Sequence, residues 1–109
     1  MEFATLLSSH NGKPMLGLVG EIDIATVPRC SDAINKFVTD NAGTDLLLDF
    51  SHLTALDDTG LGIILGAAGR ARNAGGDIAL VVADERMRQR LDITGLSRAL
   101  RVHHSINEV

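Results

Sequence analysis

Two carboxylates and a hydroxyl stand side by side in Asp57-Asp58-Thr59-Gly60-Leu61-Gly62, between an apolar run at 46–50 and a helical-looking segment rich in glycine. Three chemistries fit those residue types. Adjacent acids suit a hard cation such as Mg²⁺, although acids in a loop more often face water or cap a helix. A threonine opening a helix can serve as a plain cap. It can also accept a modifying group, because unsatisfied backbone N–H groups and the positive end of the macrodipole converge there. A phosphate on such a hydroxyl is locally stabilised, so modification would leave the fold intact and change only what can dock.

The helix expected over 59–73 carries an unusual face. Gly62, Ile63 and Gly66, then Gly69 and Arg70, share the side of Thr59 at 3.6 residues per turn. Leu61, Ile64, Leu65, Ala68 and Ala71 are expected on the opposite side as a core stripe. A glycine inside a helix costs about 0.5–1 kcal/mol relative to alanine, so several on one face need a reason. Close approach of another backbone supplies one. That backbone belongs either to a docking partner or to a neighbouring element of the same chain; the bland alternative is that the helix is simply marginal.

The other reactive side chains are less specific. Asp23 follows the second expected strand and either orients the Thr59 hydroxyl or helps to cap the first helix. Asp49 sits inside a strand and is expected to be satisfied by backbone or by Ser51. His10, His52, His103 and His104 show no zinc-ligand spacing, and no metal or other cofactor is expected. Cys30 falls on the apolar face of the first helix as a small core residue. Arg86, Arg88, Arg90 and Arg98 make the region after residue 84 basic, a solvated face or a complement to an acidic partner. There is no Gly-x-Ser-x-Gly elbow, P-loop or dinucleotide fingerprint, so no catalytic set is complete and the chain is not expected to be an enzyme.

These residues need elements to hold them. At 109 residues and 45% hydrophobic, the chain is expected to form one domain, 1–109, with a proper core. Three Phe without Trp or Tyr provide no stacking platform for bases, and a net charge of −4 disfavours phosphate-backbone binding, so nucleic acid is not an expected partner. No apolar run approaches the roughly 20 residues that span a bilayer, and residues 1–5 do not read as a secretory signal. A lone cysteine suits a reducing compartment, and together these features predict a cytoplasmic domain away from the membrane.

Residues 2–8 and 14–20 read as strands joined at Asn11-Gly12, a hairpin signal. Thr26 is a plausible helix cap, with Pro28 in the first turn of a helix that ends near Gly43. A strand at 46–50, the glycine-faced helix, a strand at 78–82, a helix capped by Asp84, a strand at 100–103 and a helical stub complete the order. The result is an α/β domain, β-β-α-β-α-β-α-β plus a stub, with a mixed sheet and helices mainly on one face.

The run Asp57 to Gly62, followed by Ile63-Ile64-Leu65-Gly66, resembles the signature of bacterial anti-sigma factor antagonists, members of the STAS domain family. Gly20-Glu21-Ile22-Asp23, Gly75-Gly76 and Asp92-Ile93-Thr94-Gly95-Leu96 match further landmarks in order, over about residues 14–104. The resemblance implies Thr59 as phosphoacceptor, Asp23 as the acid beside it, and Gly60, Leu61 and Gly62 as the helix start that docks on the partner; with Asp57, Asp58, Ile63 and Gly66 of the same helix start and face, these are the expected partner-binding and switch residues. It implies a serine-protein-kinase anti-sigma factor as partner and a metal-dependent serine phosphatase to reset the switch. Asp58 departs from the pattern, which usually has Ser there. An acid beside the acceptor suggests slower phosphorylation, a partial mimic of the modified state or a partner different from the usual kinase; the alternative is an unphosphorylated STAS module acting as a scaffold, stressosome component or nucleotide sensor. An Asp-phosphorylated receiver fits poorly, because the chain opens β-β and has no lysine after Lys36.

Overall fold

The computed structural model describes residues 3–109; the expected start of the first strand at Glu2 lies outside the described residues. β1 (Ala4–His10) and β2 (Lys13–Ile22) form the expected hairpin. Asn11 and Gly12 both take positive φ, 51° and 78°, the geometry that a two-residue hairpin turn requires. α1 (Val27–Asp40), β3 (Asp45–Leu56), α2 (Asp58–Asn73), β4 (Asp77–Val81), α3 (Glu85–Ile93), α4 (Leu96–Ala99) and β5 (Arg101–His103) follow, then a 3₁₀ turn over Ile106–Glu108. The sheet order is β1-β2-β3-β4-β5, antiparallel only at β1–β2 and parallel elsewhere.

Alternation along the strands sets the core. Leu16, Leu18 and Ile22 of β2, Leu46, Leu48 and Phe50 of β3, and Ile78 and Leu80 of β4 join one apolar cluster with Ile34 and Phe37 of α1, Ile64 and Ala68 of α2, and Leu91 of α3. Leu47 and Val81, at the alternate positions, are buried outside that cluster. The helices therefore contribute to one side of a mixed sheet, as the pattern predicts.

The largest differences from the sequence reading lie at β3, the loop before α2 and the stretch after α3. β3 was expected to stop at 50 but runs to Leu56, because it stays paired to β2 through two register shifts, Val19 opposite His52 and Ile22 opposite Leu56. The loop before α2 shrinks to Asp57. β4 pairs with β3 only as far as Asp49, which leaves the outer half of β3 without a strand on that edge. The short helix α4 was not anticipated; Gly95, at φ 81°, ends the α3 turn and redirects the chain into it.

Gly75-Gly76 close α2. Gly75 has φ 95° and donates to the Arg72 carbonyl, while Gly76 donates to that of Ala71, a paired arrangement that terminates helices. A Cβ on Gly76 would come within 2.1 Å of the Thr44 carbonyl oxygen, so the crossing there admits no side chain.

Candidate functional site

The ends of β2 and β3 bring the site together. Asp57 donates its backbone N–H to the Ile22 carbonyl at 3.1 Å, so the turn after β2 and the start of α2 lie beside each other at the carboxyl ends of parallel strands. That is where ligands and partners are read in open α/β sheets.

Asp57, not Thr59, caps α2. Its Oδ1 accepts the Gly60 N–H at 2.9 Å and its backbone is extended, with φ −85° and ψ 175°. Carboxylates are strong caps for orphan N–H groups, and this one takes the role expected of the hydroxyl. Thr59 therefore lies second in the helix, one residue later than expected. It is exposed, and its hydroxyl has no hydrogen-bond partner among the described residues.

Asp23 is held by its own turn. Its Oδ1 accepts from the N–H groups of Ala25 (2.9 Å) and Thr26 (3.1 Å), and no hydrogen bond joins it to Thr59. Of the two readings of Asp23 the geometry realises the turn role, although the N–H groups it accepts from precede the first residue of α1, which has no side-chain cap. Thr26 is buried; its hydroxyl donates to the Glu21 carbonyl at 2.7 Å and accepts from the Asp23 N–H at 3.0 Å. It stands at the helix start as expected, yet its hydroxyl braces the turn rather than the helix.

The glycines of α2 divide into two groups. Gly60 is buried, and a Cβ there would lie 2.5 Å from Leu56 Cδ1 and 2.7 Å from Ile22 Cγ2. Leu61 beside it is buried as well. Both point inward and support the start of α2 from below. Gly62, Gly66 and Gly69 are exposed; a Cβ at Gly62 or Gly69 would meet nothing within 4 Å, and at Gly66 only Arg70 Nη1 at 3.5 Å. Among the described residues no other element packs on this strip, so internal packing does not account for these three glycines. Ile63 is half-buried against the core, and Leu65, expected in the core stripe, is 45% exposed and borders the strip. The stripe centres on Leu61, Ile64, Ala67, Ala68 and Ala71, and Leu65 falls about 100° past Ile64 around the axis. Arg70 folds back to hydrogen-bond Asn35 of α1.

Asp58 forms an ion pair, which the sequence did not disclose. Arg90 of α3 donates from Nη2 to Asp58 Oδ1 at 2.8 Å and from Nη1 to the carbonyl oxygen of Leu56. The basic character of this region is legible in the sequence, but which arginine reaches across 32 residues is not. Between β3's outer half and α3 lies an open groove of about 1150 Å³, whose lining includes His52, Leu53, Asp58, Met87 and Arg90.

The remaining candidates are structural. Asp49 Oδ1 accepts from the Ser51 hydroxyl at 2.6 Å and the Ser51 N–H at 3.0 Å, as expected. Cys30 is fully buried, and burial first, then the Asp57 charge, pushes its thiol up to about 11. Asp84 caps α3 by accepting from the Met87 N–H at 2.9 Å. Among the described residues, no three His, Cys, Asp or Glu side chains gather as a metal site, and no helix is long and apolar enough to cross a membrane.

Known proteins place this geometry. The family model described as STAS domain matches residues 7–109. An anti-sigma-B factor antagonist of Listeria monocytogenes is 28% identical over 92 residues, 84% of this chain and 80% of that protein. The anti-sigma-B factor antagonist of Bacillus subtilis is 30% identical over 81 residues, 74% of this chain and 72% of that protein. The crystal structure of an anti-sigma factor antagonist from Mycobacterium paratuberculosis superposes with a TM-score of 0.86 at 25% identity, covering 98% of this chain and 90% of that one. With the strand order, the acid-capped second helix and a family match over almost its whole length, the chain belongs to the STAS domain family.

Proposed function

We propose that this chain is an anti-sigma factor antagonist worked by phosphorylation. In the unmodified state, the exposed strip of α2 docks on an anti-sigma factor of the serine-protein-kinase type and frees a sigma factor. Transfer of a phosphoryl group from Mg-ATP to Thr59 ends the association, and a metal-dependent serine phosphatase restores it. The chain is a substrate and a binder, and the kinase supplies the catalytic groups.

The observation that carries this reading is the pairing of an exposed, unpartnered Thr59 hydroxyl with an uncovered glycine strip on the same helix. A surface without side chains lets a partner backbone approach closely. A phosphate at the helix start meets N–H groups and the positive dipole end, so it adds charge to the docking surface without breaking the helix. The names of the relatives support the anti-sigma factor antagonist part of this reading.

Phosphosite mapping by mass spectrometry, on protein taken from its native cells with phosphatases inhibited, tests the switch. Phosphate on Thr59 is expected. Thr59→Ala is expected to capture the host's anti-sigma kinase and resist release, Thr59→Glu to fold and fail to capture it, and Gly66→Arg to block capture while leaving the fold intact. Asp58 favours a second reading, an unphosphorylated STAS scaffold; a bare Thr59 across growth and stress conditions would select it.

A further inference from the structure

We propose that Arg90 is a positioning residue that neutralises Asp58 beside the phosphoacceptor, so that Asp58 adds no net charge where Thr59 is presented to a kinase. This rests on the reading of Thr59 as the phosphorylated residue. Asp58 immediately precedes that hydroxyl and its side chain is 92% exposed. Alone, it would place a full negative charge where the incoming phosphoryl group must approach, and it would resemble the modified state.

The Arg90 guanidinium prevents that, and it is held independently of the acid. Nη1 donates to the carbonyl of Leu56, the last residue of β3, on a stretch that β4 does not pair. Nη2 of the same fork reaches Asp58 Oδ1 at 2.8 Å. A planar guanidinium makes two such bonds at fixed geometry, whereas an ammonium is a point charge. The neighbouring arginine on the same helix, Arg88, is directed instead to the carbonyls of Val82 and Ala83, so Arg90 alone among the described arginines pairs with Asp58. Exposed pairs contribute little to stability, so the consequence lies in local charge at Thr59 and not in holding the fold.

The net charge of the Asp58–Arg90 pair then takes three values over four proteins. It is zero in the wild type, −1 in Arg90→Met, +1 in Asp58→Ser and zero again in the double variant. Purified unmodified chain is added to host-cell lysate with Mg-ATP, and the initial rate of phosphate incorporation at Thr59 is read by mass spectrometry. Arg90→Met is expected to slow incorporation about fivefold, the size that a carboxylate roughly 7 Å from a phosphoryl group exerts at a screened protein surface. Adding Asp58→Ser to it is expected to restore the wild-type rate, Asp58→Ser alone to equal or exceed that rate, and Arg90→Lys, which keeps the charge, to stay within about twofold of it. Raising the salt from about 50 to 300 mM is expected to shrink the Arg90→Met defect, since the Debye length shortens.

An Arg90→Met rate equal to wild type overturns the proposal. So does a double variant as slow as Arg90→Met, because a purely structural loss of the Leu56 bond would not be rescued at residue 58. Should Arg90→Met not fold, the same decision passes to Arg90→Lys and Asp58→Ser, and a slow Asp58→Ser overturns it. Wild-type chain that gains phosphate elsewhere but none at Thr59 overturns the phosphoacceptor reading itself and this inference with it.

Discussion

Gly60→Ala and Gly62→Ala add the same methyl group two residues apart on one helix, and their effects on stability are expected to have opposite signs. At Gly60 the new Cβ would lie 2.5 Å from Leu56 Cδ1 and 2.7 Å from Ile22 Cγ2. Neither neighbour can swing clear, since Leu56 is 2% and Ile22 0% exposed. Overpacking of this kind costs about 1–3 kcal/mol. The gain in helix propensity returns at most about 1 kcal/mol. The net loss is therefore about 1–2 kcal/mol. At Gly62 nothing stands within 4 Å of the added carbon, so only the propensity term acts. The variant is then expected to be more stable by about 0.5–1 kcal/mol. Both changes restrict the unfolded chain equally, so that contribution cancels between them. The two variants should differ by about 2 kcal/mol, or about 8 °C in Tm for a domain of this size. Urea unfolding at constant slope checks it, since an unchanged slope shows that the denatured state is comparable. A Gly62→Ala variant less stable than wild type would refute the inference that its face is uncovered. A neutral Gly60→Ala would show that the start of α2 is not packed on Ile22 and Leu56 as described.

Two further outcomes follow from the same site. Asp57→Ala removes the acceptor of the Gly60 N–H and should lower stability by about 1 kcal/mol in urea unfolding, whereas Asp57→Asn, also a good cap, should lose only a few tenths. Cys30 should react with a thiol reagent at pH 8 only after denaturation. Because its folded pKa is raised from 9.0 to about 11, its contribution to stability is constant below about pH 9 and is lost as the pH rises toward 11. Urea midpoints measured across that range should fall more steeply in the wild type than in Cys30→Ala, and parallel slopes would contradict the burial of the thiol.

Much of this was legible in the sequence because it depends on local periodicity and turn chemistry. Asn11-Gly12 specified a hairpin, since few other residue pairs accept two positive φ angles. The apolar run 46–50 and the 3.6-residue spacing in α1 located the core, and Asp49 found Ser51 two residues away, a distance the sequence can see. The Asp57 to Gly62 signature located the helix start to within one residue. Which side chain caps it depended on backbone angles that a carboxylate and a hydroxyl compete to satisfy.

What the tertiary structure alone decided involves contacts between residues distant in the chain. Whether a glycine is demanded by a neighbour or left open is such a property. Gly60 and Gly62 look alike in sequence, yet one lies against Ile22, brought in by β2, and the other faces outward. The length of β3 was set by its pairing with β2 across two register shifts, which overrides the polar character of 51–55. Arg90 reaches Asp58 only because α3 returns beside the end of β3, placing a cation next to an acid 32 positions earlier. The types of residue at the site were written locally; their charge balance and exposure were settled by packing, because those depend on which distant segments the sheet brings together.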